Sequence, residues 1–137
     1  MRILLPLLLF SVAACTQTAA DVERQAAADA GTRAELDREL AGLVPGRTQG
    51  CATQTELRNL KTFGDTLVYD TNGSDKLVTR TSGGCERVGA EGILVTRTPS
   101  TQLCRGDIAT VVDRNSRFTI GSCSFGDFTR YERPREG

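Results

Sequence analysis

The chain of 137 residues contains no histidine and no tryptophan. Without histidine, the commonest general base, the organiser of serine or cysteine triads and the commonest metal ligand are all missing. Two tyrosines and five phenylalanines make up the aromatic content, so a core must be built mainly from aliphatic side chains. No Cys-x-x-Cys pair occurs, which removes the thiol oxidoreductase motif and the usual spacing of structural zinc sites. No apolar run approaches the roughly 20 residues that a membrane-crossing helix needs. An excess of charge of one sign is missing too, with 17 Lys plus Arg against 17 Asp plus Glu. That balance gives no field for nucleic acid, and no nucleic-acid partner is expected. Phosphate loops, dinucleotide fingerprints and calcium loops are absent.

What is present starts with Met1-Arg2, an apolar run over residues 3–10, and Ser11-Val12-Ala13-Ala14-Cys15. A basic start, a short apolar core and small residues before a cut read as a secretory signal peptide over residues 1–14. Val12-Ala13-Ala14-Cys15 resembles the lipobox of bacterial lipoproteins. That resemblance implies cleavage before Cys15 and lipid on the cysteine. It also implies several acyl chains, enough for a durable tether where one chain binds only marginally. Thr16, not aspartate, follows Cys15, which in enterobacterial lipoproteins implies sorting to the outer membrane, facing the periplasm. The expected partners are the membrane, through lipid on Cys15, and an anionic envelope glycan or envelope protein. No cofactor is expected.

Residues 15–137 keep every acid and lose Arg2, leaving a net charge of −1. Arginine far outnumbers lysine, which occurs only at positions 61 and 76 and reads as a sign of a GC-rich genome. Beyond Cys15 lie Cys51, Cys85, Cys104 and Cys123. An even number in a small exported domain reads as two disulfides, and the absence of histidine and of ligand spacing argues against a metal. Four cysteines allow three pairings, and sequence alone does not choose between them. The expectation taken forward is Cys51–Cys123 with Cys85–Cys104, which closes the domain and clips one long connection.

Residues 15–31 are polar and alanine-rich and read as a tether. Residues 32–50 read as a helix and linker: Thr32-x-x-Glu35 matches a capping box, Leu36, Leu40 and Leu43 recur at helical spacing, and Gly42, Pro45 and Gly46 end the segment. Thr53-x-x-Glu56 matches a second capping box, predicting one or two helical turns through Leu57 and Leu60. Residues 66–70 and 76–80 are β-rich and flank Asn72-Gly73, a strong hairpin signal because both residues tolerate positive φ. Further strands are expected over residues 92–98, 108–113, 117–121 and 127–132. The fold class is mainly β: a small antiparallel barrel or sandwich of five to six strands, with one or two short N-terminal helices and two disulfides. The disulfide-pinned domain should span residues 51–133, followed by a tail over 134–137. Disulfides supplement the small core that such a length can bury.

The stretch from Leu40 to Cys51, the strand pair after it, Gly83-Gly84-Cys85, Leu103-Cys104-Arg105-Gly106-Asp107 and Gly121-Ser122-Cys123 form a pattern. It resembles a family of uncharacterised proteobacterial envelope proteins with one four-cysteine domain of unknown function, over roughly residues 40–131. The resemblance implies a two-disulfide β domain and no activity.

Carboxylate pairs are the remaining route to catalysis: Asp65 with Asp70, Asp107 with Asp113, Glu86 with Glu91. None lies in an apolar setting that would raise a pKa, and no enzyme activity is expected. Arg105-Gly106-Asp107 reads as a turn into the next strand rather than a recognition tripeptide. Leu-Val-Thr-Arg-Thr occurs twice, over residues 77–81 and 94–98. If Val78 and Val95 faced inward, Arg80 and Arg97 would emerge together at a barrel mouth, where paired guanidiniums suit a phosphate or carboxylate. The leading function is a lipid-anchored envelope protein with a binding or structural role. The alternative is a lipoprotein inhibitor of a lysozyme or protease, which calls for a protruding rigid loop and finds its candidate in residues 83–92.

Overall fold

A computed structural model describes residues 18–135. The signal peptide and Cys15 lie outside the described residues. The fold is mainly β and antiparallel, with one α-helix and two disulfides. Helix α1 (Ala19–Glu39) comes first, then strands β1 (Val44–Gln49), β2 (Cys51–Thr53), β3 (Arg58–Phe63) and β4 (Thr66–Asp70). They are followed by β5 (Lys76–Thr81), β6 (Gly92–Thr96), β7 (Gln102–Cys104), β8 (Ile108–Asp113) and β9 (Thr119–Glu132). Six strands curl into a half-barrel in the order β3-β4-β5-β9-β8-β6, and β1 pairs with β9 beyond the end of β8. Strands β2 and β7 form a separate two-stranded ribbon.

Alternation sorts the strands into two faces. Leu67, Tyr69, Leu77, Thr79, Ala109, Val111, Cys123, Phe125 and Phe128 turn to the inner face and are buried. Ala52 and Leu103 of the ribbon join this core. The rings of Phe125 and Phe128 stack with centroids 6.0 Å apart. Burial raises the pKa of the Tyr69 phenol, keeping it neutral in this setting.

Helix α1 starts thirteen residues before the predicted Thr32. Thr18 caps it: the Asp21 backbone N–H donates to the Thr18 hydroxyl at 3.2 Å, and the Thr18 backbone N–H donates to Asp21 at 3.2 Å. Residues 19–31, read as tether, are therefore helical. Alanine has the highest intrinsic helix propensity and needs no apolar stripe to express it. Residues 18–31 are all exposed. Only Thr32, Leu36, Glu39 and Leu40 are partly covered, at the spacing of one helix face.

Three further expectations change. Pro45 and Gly46 sit in β1, an edge strand, where a missing N–H is tolerated. The second capping box forms, with the Thr53 N–H donating to Glu56 at 3.3 Å, but it caps a single 3-10 turn (Gln54–Glu56). The chain then extends, so Leu57 and Leu60 lie on β3 and the residue before it rather than on a helix. The hairpin at Asn72-Gly73 forms, yet neither residue has positive φ. A five-residue loop replaces the tight turn, closed by the Thr71 hydroxyl donating to the Asp75 carbonyl at 3.0 Å.

Candidate functional site

The disulfides are Cys51–Cys104 and Cys85–Cys123, correcting the expected Cys51–Cys123 and Cys85–Cys104. Register explains the pairing. Cys51 lies directly opposite Cys104 across the β2–β7 ribbon, so the first bridge is cross-strand. Cys85 and Cys123 are 1% and 3% exposed and tie the loop after β5 to the middle of β9.

That second bridge also decides the fate of residues 83–92. Cys85 and Val88 are core residues, and the Gly89 N–H donates to the Gly92 carbonyl at 3.0 Å. The segment is pinned to the body at Cys85, Val88 and Gly92, while Glu86, Arg87 and residues 89–91 are exposed.

Arg80 and Arg97 are not brought together. On β5 it is Leu77 and Thr79 that turn inward, so Val78 and Arg80 point outward. On β6 Leu94 packs on the core and Ile93 is exposed, the reverse of the expected phase. Thr79, between Val78 and Arg80, is short enough to be buried on the inner face, so an apolar residue at every second position did not mark that face. Strands β9 and β8 separate β5 from β6, about 14 Å of sheet, and outward side chains on a curled sheet diverge. Arg80 approaches Asp65 at 4.0 Å with its side chain 79% exposed. Arg97 lies just past β6 and is exposed.

Arg80 does line a site that the sequence did not reveal. Between α1 and the β3–β4 turn lies a cleft of about 400 Å³ with Asp29, Arg33, Asp65, Arg80 and Glu86 on its rim and Phe63 among its apolar lining. It adjoins a groove of about 480 Å³ between Leu36 and Leu40 of α1 and Val78, Thr129 and Tyr131 of the sheet. Three carboxylates face two guanidiniums around the cleft. That charge set suits a polar or zwitterionic ligand better than the simple anion for which Arg80 and Arg97 were considered. Of the missed contributors, Asp29 lies on the part of α1 that its weak apolar periodicity hid, and Arg33 on the part that the sequence reads as helix.

The helix is held over this face by ions. Lys61 and Lys76 reach Glu39 at 2.8 and 2.6 Å, and Lys76 also reaches Asp70 at 2.6 Å. Hydrogen bonds from Lys61, then Lys76, hold the Glu39 carboxyl below its ordinary range, and the Lys76 hydrogen bond does the same for Asp70. Across the sheet, Arg130 spans Glu56 at 2.9 Å and Asp75 at 3.5 Å.

The other carboxylates considered for catalysis have structural partners. Asp107 accepts the Cys104 N–H at 2.8 Å, Glu86 accepts the Gly84 N–H at 2.8 Å, and Glu91 pairs with Arg87 at 2.8 Å. Asp113 accepts N–H groups from Asn115 and Ser116 and the Ser116 hydroxyl. These bonds, those from Ser116 first, lower its pKa. Among the described residues no group of three or more Cys, Asp or Glu is placed to hold a metal ion, and no helix is long and apolar enough to cross a membrane. No family model matches the chain, and neither curated proteins nor solved structures give a match.

Proposed function

We propose that this protein is a lipid-anchored component of the bacterial cell envelope that displays a disulfide-pinned β body on a helical stalk and acts by binding or structural presence. The outer membrane, facing the periplasm, is the proposed address. The observation that carries the reading is the first two-thirds of α1. Its capping residue Thr18 stands three positions after Cys15, and residues 18–31 are exposed throughout. An alanine-rich, capped helix with no core to serve is an economical spacer between a lipid and a folded domain, about 1.5 Å per residue. The cleft beside Arg33 and Arg80 is the proposed contact for an envelope component, with a polar glycan as the chemical class. The four cysteines agree with an oxidising compartment.

Metabolic labelling with radioactive palmitate tests the anchor. The wild-type protein should take up label and partition into detergent, and Cys15→Ala should lose both properties. Identical release of both proteins into the soluble fraction refutes the anchor.

A further inference from the structure

The turn between β8 and β9 presents an exposed aromatic side chain on a strained, tightly braced backbone. Phe118 is 74% exposed, the most exposed large apolar side chain among the described residues. Arg117 before it has φ +63°, the one non-glycine residue there with positive φ. An arginine in that region costs energy that a glycine or asparagine would avoid. The turn is nonetheless well fixed. Asp113 accepts the Asn115 N–H at 2.9 Å and the Ser116 N–H at 2.7 Å, and the Asp113 N–H donates to the Phe118 carbonyl at 2.9 Å.

Charge adds a second, independent observation. Arg114 and Arg117 flank the tip, and among the described residues neither forms an ion pair with a carboxylate. The Arg114 side chain reaches the Gly89 carbonyl at 3.4 Å, and its backbone N–H donates to the Glu91 carbonyl at 3.1 Å. Two acids lie beside the tip: Asp113, whose hydrogen bonds are made inside the turn, and Glu91, which pairs with Arg87 at 2.8 Å. The tip thus offers a phenylalanine and two arginines, beside two carboxylates that are each already engaged, Asp113 within the turn and Glu91 with Arg87.

The tip also lies toward the N-terminal end of α1. Passing from Leu40 to Asp29 along α1 runs in the same sense as passing from Tyr131 toward Cys123 along β9. At one end Lys76 binds Glu39 and pairs with Tyr131; at the other Glu86, next to the Cys85–Cys123 bridge, shares a cleft with Asp29 and Arg33. Beyond that level α1 continues to Thr18, about 16 Å at helical rise. The chain from Cys123 back to Phe118 covers up to about 17 Å at extended rise.

We infer that Phe118, with Arg114 and Arg117, is a second foot that seats the β body on an anionic lipid surface. The phenyl ring enters the interface while the guanidiniums bind phosphate headgroups, the arrangement that aromatic and basic residues adopt at bilayer surfaces. The direction of approach rests on the anchor proposed at Cys15; the tip's affinity for lipid does not.

The chain's lack of tryptophan supplies the test. Full-length Cys15→Ala protein carrying Phe118→Trp has a single indole at the tip. It is mixed with vesicles of phosphatidylcholine alone or of phosphatidylcholine with phosphatidylglycerol. Blue-shifted emission and loss of acrylamide quenching with the anionic vesicles are expected, and little change with the neutral ones. A reporter at Ile108→Trp, at the far end of β8, should stay in water. Adding Arg114→Gln and Arg117→Asn, the latter chosen to tolerate positive φ, should weaken binding about 30-fold, since each arginine near such a surface contributes about a factor of five. No shift at position 118, an equal shift at 108, or a shift indifferent to the two arginines overturns the inference. Shielding by intact envelopes but by neither vesicle assigns the tip to a protein partner instead. Because the variant carries no lipid, the outcome is independent of the palmitate test.

Discussion

Reduction of the folded protein should open Cys51–Cys104 well before Cys85–Cys123. Chain entropy does not separate the two bridges. Their sequence separations are 53 and 38, which correspond to about 4.2 and about 3.9 kcal/mol of stabilisation on the loop-closure model. Access separates them. Cys51 and Cys104 are partly exposed on a two-stranded ribbon. Cys85 and Cys123, at 1% and 3% exposure, sit in the core beneath strands that must part before a reductant enters. If that parting requires global unfolding at about 5 kcal/mol or more, the buried bridge is slowed by roughly 10³-fold or more relative to an open one. The assay is a time course in dithiothreitol without denaturant, quenched with iodoacetamide and read by peptide mass. Carbamidomethyl groups should accumulate first on Cys51 and Cys104. A Cys51→Ser/Cys104→Ser protein should lose about 4 kcal/mol in urea unfolding yet keep the second bridge intact. Simultaneous labelling of all four cysteines, or a peptide joining Cys51 to Cys123, refutes the reasoning.

The remaining predictions concern the latch and one glycine. The folded Glu39 carboxyl lies below its ordinary 4.5 because Lys61 and Lys76 hydrogen-bond it. Its contribution is therefore present above that value and lost as pH falls through the lower folded one. Glu39→Gln should cost about 1 kcal/mol at neutral pH and nothing at pH 2, measured by urea midpoints across that range; an equal cost at both ends sinks the idea. Gly84 has φ +94°, and a Cβ there would overlap the Ser122 carbonyl oxygen of β9. Gly84→Ala should lower the melting temperature by 10 °C or more, on the order of 3 kcal/mol at this size, and an unchanged melt would show that β9 can shift.

The strands were legible where β-branched residues met turn chemistry, as in β4, β5, β6 and β8. The two disulfides were legible as a number but not as a pairing. Cys51 and Cys104 are joined by a ribbon of only three residues per strand, too short to leave a pattern in the chain. Helix α1 was half read because apolar periodicity reports burial, and residues 19–31, its first three turns and more, have nothing to bury. The cleft at Arg33 and Arg80 was unreadable for a related reason. It arises where an amphipathic end of that helix meets the outer face of the sheet, to which Val78 and Arg80 point because Thr79 takes the inward position. Phe118 passed as an ordinary strand residue because nothing local distinguishes an aromatic that packs from one held out in water.

Strand β9 has a consequence for how the body assembles. Before it exists, the chain holds two separate half-sheets, the β3–β4–β5 meander and the β6–β8 pair. Both use local pairings that close quickly. Strand β9 then zips them together, with β5 along one edge and β8 along the other, and finally captures β1 from some 80 residues earlier. Such non-local closure is slow by topology alone, in the range of milliseconds to seconds. Until it happens the two halves expose unpaired edges side by side, so the interval before β9 docks is when this protein is most prone to pair with another copy of itself.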